Sequence, residues 1–197
     1  MALKQLDAVR EDLERKATEM LREMPEADSS FLASMVPMKP GASEDEILDL
    51  ERALDRNLPL AFRRVLATYE LAGLELAGVA FGGESSFSAF LRHQTSSPRS
   101  VWGRWQPIHD LFVVGSSAGY VVFVSNNDGR VWACLRDRAI EEKMVVASDL
   151  ERFLRALGTL TVTETVENDD ALAAEMARDV DAVGSESFWA DRIKGYG

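Results

Sequence analysis

Apolar residues return every three or four positions near the start of the chain. Leu3, Leu6, Val9, Leu13, Ala17, Met20, Leu21 and Met24 share one face of a helix over residues 2 to 24, which Pro25 ends. The pattern recurs twice between residues 43 and 71. Ser43 precedes Glu46 by three residues, the spacing of a capping box that satisfies two orphan backbone donors, and Ile47, Leu50 and Leu54 follow at helical spacing. Leu58-Pro59 then opens a second helix, with Pro59 at its first position, where a fixed φ suits the start and a missing N–H costs nothing. Phe62, Val65, Leu66 and Tyr69 form its apolar stripe, and Gly73 is the expected stop. Residues 26 to 42 have linker composition (Asp28, Ser29, Ser30, Pro37, Pro40, Gly41), with Phe31, Leu32, Met35 and Val36 to hold that stretch on the body.

After Gly73 the helical period gives way to short apolar runs at 74–81, 101–106, 111–114, 119–124 and 130–135, bounded by Gly, Ser, Pro, Asn and Asp. These predict strands of one mostly antiparallel sheet. The clearest joint is Ser125-Asn126-Asn127-Asp128-Gly129, whose Asn, Asp and Gly supply the positive φ a hairpin needs. Residues 82 to 100 read as a longer loop with a short helix at Phe87 to Leu91. Ser148 is the expected cap of a helix carrying Leu150, Phe153, Leu154 and Leu157 and ending at Gly158. Two more helices are predicted, Asp170 to Val183 and Glu186 to Lys194, with Gly184 between them.

Composition narrows the function classes. With 197 residues, 46% of them hydrophobic, the chain has enough apolar mass for one sizeable core. No apolar run approaches the ~18 to 20 residues that span a bilayer. Met1 to Arg10 carries charges where an export signal would be apolar, and a single cysteine, Cys134, leaves no disulfide framework, so a reducing, cytoplasmic setting is expected. The net charge is −11, and Glu164 to Asp191 holds nine acidic residues against Arg178 alone. That stretch repels nucleic acid and favours a basic partner, although acidity also serves solubility.

Several motifs invite chemistry and fail its requirements. Gly115-Ser116-Ser117-Ala118-Gly119 has the spacing of a hydrolase nucleophile elbow, which needs a helix after the serine and a histidine later in the chain. Here a strand follows, and the two histidines, His93 and His109, come before Ser117. His93, His109 and Cys134 match no zinc spacing. Aligning Gly129 with the invariant glycine of a calcium loop puts Val124 and Leu135 where carboxylate ligands belong. Gly82-Gly83 lacks the Lys-Ser/Thr of a phosphate loop. The pairs Glu44 with Asp45 and Glu141 with Glu142 suit helix starts or solvated faces. Trp102-Gly103-Arg104-Trp105 fits core packing, a partner hot spot or a nucleic-acid stacking platform, the last disfavoured by the acidic chain. No catalytic residue, cofactor or metal is therefore expected.

Taken in order, SEDEILDLERALDRNLPLAFRRVLATYELAGLEL (43 to 76) resembles the opening of the SUKH superfamily, also called Smi/Knr. Its helix "E-x-x-I-x-x-L-E" is matched by Glu44, Ile47, Leu50 and Glu51, and its "L-P-x-x-[FY]-[KR]-x-[FL]-L" by Leu58, Pro59, Phe62, Arg63, Val65 and Leu66. Phe112 to Trp132 resembles the family's central strand pair, and Leu150, Phe153 and Leu154 its closing helix, so the resemblance spans 43 to 158. Departures are Glu70-Leu71-Ala72-Gly73 in place of a Gly-Gly or Asn-Gly turn, and Ala118-Gly119 in place of Gly-Asp.

The resemblance implies an α+β fold: a SUKH-like single domain (43–158) with a mostly antiparallel sheet flanked by helices. An N-terminal helix and linker (1–42) and an acidic helical extension (159–197) add to it. Bacterial members are typically immunity proteins that bind a polymorphic toxin, and fungal members are scaffold-like regulators. The expected function is thus a non-enzymatic, cytoplasmic immunity protein whose partner is a cognate toxin protein, with no nucleic acid and no membrane; a scaffold without a toxin, or a hydrolase using Ser117, are the alternatives. Expected partner contacts are Trp102, Trp105, Asp169, Asp170, Glu175 and Trp189. Whether the chain is a monomer or a homodimer is left open by sequence.

Overall fold

The structure is a computed structural model that describes residues 2–23, 34–37, 39–82, 86–163 and 169–195. The helical stripes form as their spacing requires. Helix α1 (Leu6–Glu23) buries Leu6, Val9, Leu13 and Ala17. Met35 and Val36 of the following stretch do pack on the core, while Phe31, Leu32 and Pro25 lie outside the described residues. Helix α2 (Glu44–Leu54) starts at a complete capping box: the Glu46 amide donates to the Ser43 hydroxyl at 3.3 Å, and the Ser43 amide donates to the Glu46 carboxylate at 2.8 Å. Pro59 stands one residue before α3 (Leu60–Thr68) rather than inside it. That helix ends when Tyr69 turns extended, so Gly73 belongs to a later turn at φ +74° and is not the stop.

Among the described residues six strands form one antiparallel sheet in chain order: β1 (Glu75–Leu76), β2 (Val79–Phe81), β3 (Leu111–Ser116), β4 (Tyr120–Ser125), β5 (Val131–Leu135) and β6 (Met144–Ala147). The run at 74–81 is two strands, because Ala77 and Gly78, both at positive φ, fold it into a two-residue hairpin. The 125–129 hairpin forms as expected, with Val124 opposite Val131 and Gly129 at φ +74°. Residues 101–106 are not a strand. Pro98 occupies the first turn of a short helix, α5 (Pro98–Trp102), and Gly103 at φ +60° breaks it. The preceding α4 (Phe87–Ser96) is twice as long as Phe87 to Leu91, since Gln94 continues its buried side past Leu91.

The closing helix α6 (Leu150–Val162) is capped by Asp149, whose carboxylate accepts from the Arg152 amide at 2.8 Å; Ser148 is not the cap. It also runs through Gly158, which is a point of close approach to Val9 of α1 rather than a stop. Helices α7 (Asp169–Asp179) and α8 (Glu186–Lys194) complete the described chain, α7 ending before Asp181 turns left-handed at φ 57°.

Alternation along the strands divides the apolar residues between two faces. Phe112, Val114, Tyr120, Val122, Val124, Val131 and Ala133 point into a main cluster shared with α1, α2, α3, α6, α7 and α8. The N-terminal helix and the acidic extension therefore bury side chains in the same core as the central region. Leu111, Val113, Val121, Phe123 and Cys134 point the other way, into a smaller cluster covered by Trp102 and Ile140.

Candidate functional site

The Trp102–Trp105 segment lies across the smaller cluster. Trp102 is 3% exposed and its ring sits 5.3 Å from that of Phe123, while Trp105 packs on Phe123 at 5.8 Å and stays half-buried. Three hydrogen bonds pin this loop to the residues after β5. The Trp105 Nε1 donates to the Arg138 carbonyl at 3.0 Å, and Arg104 donates to the carbonyls of Asp137 at 3.0 Å and Arg138 at 3.1 Å. Beside it, the half-buried Trp132 carries the Lys143 ammonium 5.2 Å above its ring. The Cys134 thiol is buried beneath, donating to the Ala139 carbonyl at 3.3 Å, and burial pushes its pKa up, which disfavours a reactive thiolate.

Between the end of α2, α4 and this loop lies a cleft of about 210 Å³, with Leu54, Trp102, Ile108 and Phe112 in its walls. Arg56 closes its rim. It donates to the Leu54 carbonyl at 3.2 Å and to both the carbonyl and Nε2 of His109, and lies 3.5 Å from the Asp110 carboxylate. A guanidinium only donates, so His109 Nε2 accepts and its proton sits on Nδ1, facing Asp110 at 3.2 Å. Hydrogen bonds from the His109 and Asn127 side chains hold the Asp110 carboxyl below its usual range. These groups are spent on one another, and what they accomplish is to lock the loop before β3 onto α2.

The expected contact residues are not brought together. Trp189 is fully buried against Phe153 and Phe188 in the main cluster, on the opposite side of the sheet from Trp102 and Trp105. Neither Trp102 nor Trp189 offers a face to a partner. Asp170 and Asp179 are exposed and Glu175 is half-exposed on α7, whose other side buries Leu172, Ala173, Met176 and Ala177, with Val180 buried just past its end. Asp169 opens the same helix, and its side chain lies outside the described residues. Helix α8 is anchored through Phe188, 5.2 Å from the Tyr120 ring, and through the Tyr120 hydroxyl, which donates to Asp191 at 3.0 Å. Burial, reinforced by that carboxylate, pushes the Tyr120 phenol up to about 12.

Gly115 to Gly119 is a strand–turn–strand passage in which the Tyr120 amide donates to the Ser117 hydroxyl at 3.2 Å, not the strand-to-helix turn of an elbow. His93 meets Ser100, His109 meets Arg56, and Cys134 is buried elsewhere; among the described residues no three His, Cys, Asp or Glu groups gather at metal-binding distance. No described helix is long and apolar enough to cross a membrane. Arg56, Gln94, Trp132 and Arg136 are structurally prominent residues that motif reasoning passes over. Their roles depend on strand pairings and loop positions that no local pattern encodes.

The model of the SMI1 / KNR4 family (SUKH-1) matches residues 41–156, well over half of the chain. No curated protein matches it at a significant level.

Proposed function

This chain belongs to the SMI1 / KNR4 family (SUKH-1), and from that membership we propose that it is an immunity protein, a cytoplasmic binder without catalytic activity that neutralises a cognate toxin. The family match carries the reading. The mode of action is occlusion of the toxin's active site or substrate cleft. Toxins that act on nucleic acids present basic clefts, and the acidic surface of α7, with Asp170 and Glu175, would be drawn to such a cleft by long-range attraction. Trp105 is the second candidate contact, on the opposite face of the sheet.

Co-purification from the native cell, followed by identification of the bound protein, tests the function itself. With the partner in hand, Asp170→Lys and Glu175→Lys together are expected to slow association and flatten its salt dependence. Unchanged affinity and salt dependence would take α7 out of the interface, and a loss on Trp105→Ala alone would move the contact to the other face.

A further inference from the structure

Helices α4 and α5 leave part of the sheet's second face uncovered, over the ends of β2, β3 and β4. The gap is a groove of about 240 Å³ with Val113, Gly115 and Val121 among its floor residues and Phe90 and Val101 in its wall. Two glycines set its shape. A Cβ on Gly82 would lie 2.3 Å from the Phe90 ring, and one on Gly115 would lie 2.7 Å from the Ala80 carbonyl oxygen. Without side chains there, Phe90 lies against the backbone and the groove stays open.

Among the described residues of the lining Arg136 alone is ionisable, in a chain whose net charge is −11. Its Nε donates to the Ser117 carbonyl at 3.3 Å, which fixes the base of the guanidinium. Among the described residues, its two terminal nitrogens have no hydrogen bond or ion pair, and the hydroxyl of Ser116, also in the lining, has none either. A planar pair of donors in the same lining as Val113, Val121 and Phe90 is complementary to a carboxylate attached to an apolar body. An acidic side chain brings the carboxylate without an apolar neighbour. A terminal Leu, Ile or Val carries both on one carbon.

We propose that this groove binds the free carboxyl terminus of a partner polypeptide ending in an apolar residue, with Arg136 pairing to the carboxylate and the floor taking the last side chain. The inference stands apart from the toxin reading and survives its failure, since it concerns a different ligand chemistry and residues on which that reading does not draw.

The probe is a fluorescein-labelled hexapeptide library randomised at its last two positions, made both as free acids and as C-terminal amides, and read by anisotropy against the full chain. Free acids ending in Leu, Ile, Val, Met or Phe should be enriched, with the matching amides weaker by about tenfold or more, as expected for losing hydrogen bonds to a charged group. Arg136→Gln, at an exposed position where the fold is not at stake, should erase the difference between acid and amide. Gly82→Ala should weaken both forms by pushing Phe90 into the groove, with far-UV circular dichroism confirming the fold. Absence of any enriched peptide, equal binding of acids and amides, or an unaltered preference in Arg136→Gln would each overturn the proposal. So would displacement by 4-methylpentanoate at the peptide's own dissociation constant, which would identify a small carboxylate as the ligand.

Discussion

The Glu51 carboxylate lies 2.9 Å from the amide nitrogen of Leu58, seven residues on, and holds the passage from α2 into α3. Its second oxygen accepts from Arg63 at 3.2 Å, and the other arm of Arg63 reaches Glu44 at the start of α2. Three polar residues that carry the family resemblance thus act mechanically, bracing two helices around Leu58-Pro59. Glu51 is only 7% exposed, so removing it strands a buried amide and leaves Arg63 with Glu44 alone. Glu51→Leu is expected to cost about 3 kcal/mol, whereas Glu51→Gln retains an acceptor for Leu58 and should cost about 1 to 2 kcal/mol. Urea midpoints at constant slope would check the order, and equal losses in the two variants would show that the charge, not the acceptor, holds the joint.

Gly158 makes the opposite kind of contact. In an exposed helix interior, glycine to alanine gains about 1 kcal/mol. Here a Cβ would fall 2.2 Å from a Val9 methyl, where α1 crosses α6. Gly158→Ala should therefore destabilise by about 1 to 3 kcal/mol, the usual range for overpacking. Adding Val9→Ala should recover part of that loss, giving a double variant more stable than the two single changes predict by sum. Additive melting temperatures would mean that the helices separate freely to make room.

Gly158 also illustrates where sequence reading runs out. A glycine after an apolar stripe has the appearance of a helix stop, and only the position of α1, some 150 residues earlier, reveals a crossing point. The capping box at Ser43 and the hairpin at Asn126–Gly129 were legible because their chemistry is local. Residues 101–106 were misleading because Trp and Val suit a strand, yet Pro98 had already begun a helix and Trp102 was needed as a lid on Phe123. Candidate contacts fared likewise: tryptophan at 189 is as compatible with a hot spot as with a core, and burial decides between them.

Gln94 occupies a gap in the sheet. Strand β2 is too short to reach Val113, so the Gln94 amide pairs with that residue's backbone from the side, donating to its carbonyl at 2.6 Å and accepting from its N–H at 2.9 Å. This reciprocal pair replaces one rung of a ladder next to the β3 irregularity. Gln94→Leu keeps the volume and leaves both backbone groups unpaired in a buried site, with an expected cost of about 2 to 4 kcal/mol. Hydrogen exchange is the sharper measurement: the Val113 amide should lose protection by more than its neighbours in β3. Uniform loss across the sheet would mean general destabilisation instead.

The capping box makes a prediction about acid. Hydrogen bonds from the Ser43 amide and hydroxyl hold the Glu46 carboxyl below its usual value of 4.5 in the folded chain. A carboxylate with a depressed folded pKa stabilises the fold above its unfolded value, and that contribution disappears as pH falls from 4.5 through the lower folded value. Ser43→Ala removes the hydroxyl and keeps the backbone donor, so Glu46 should titrate closer to 4.5 and the variant should lose less stability across this window than the wild type. Asp7, Asp12, Asp110 and Glu186 are depressed in the same direction and contribute equally to both proteins' acid sensitivity, so the difference between the two isolates Glu46. Carbon-detected NMR titration of the Glu46 carboxyl, with urea denaturation at pH 6 and pH 3, reads both quantities. A wild-type Glu46 that titrates at its usual value would show that the box is not formed in solution.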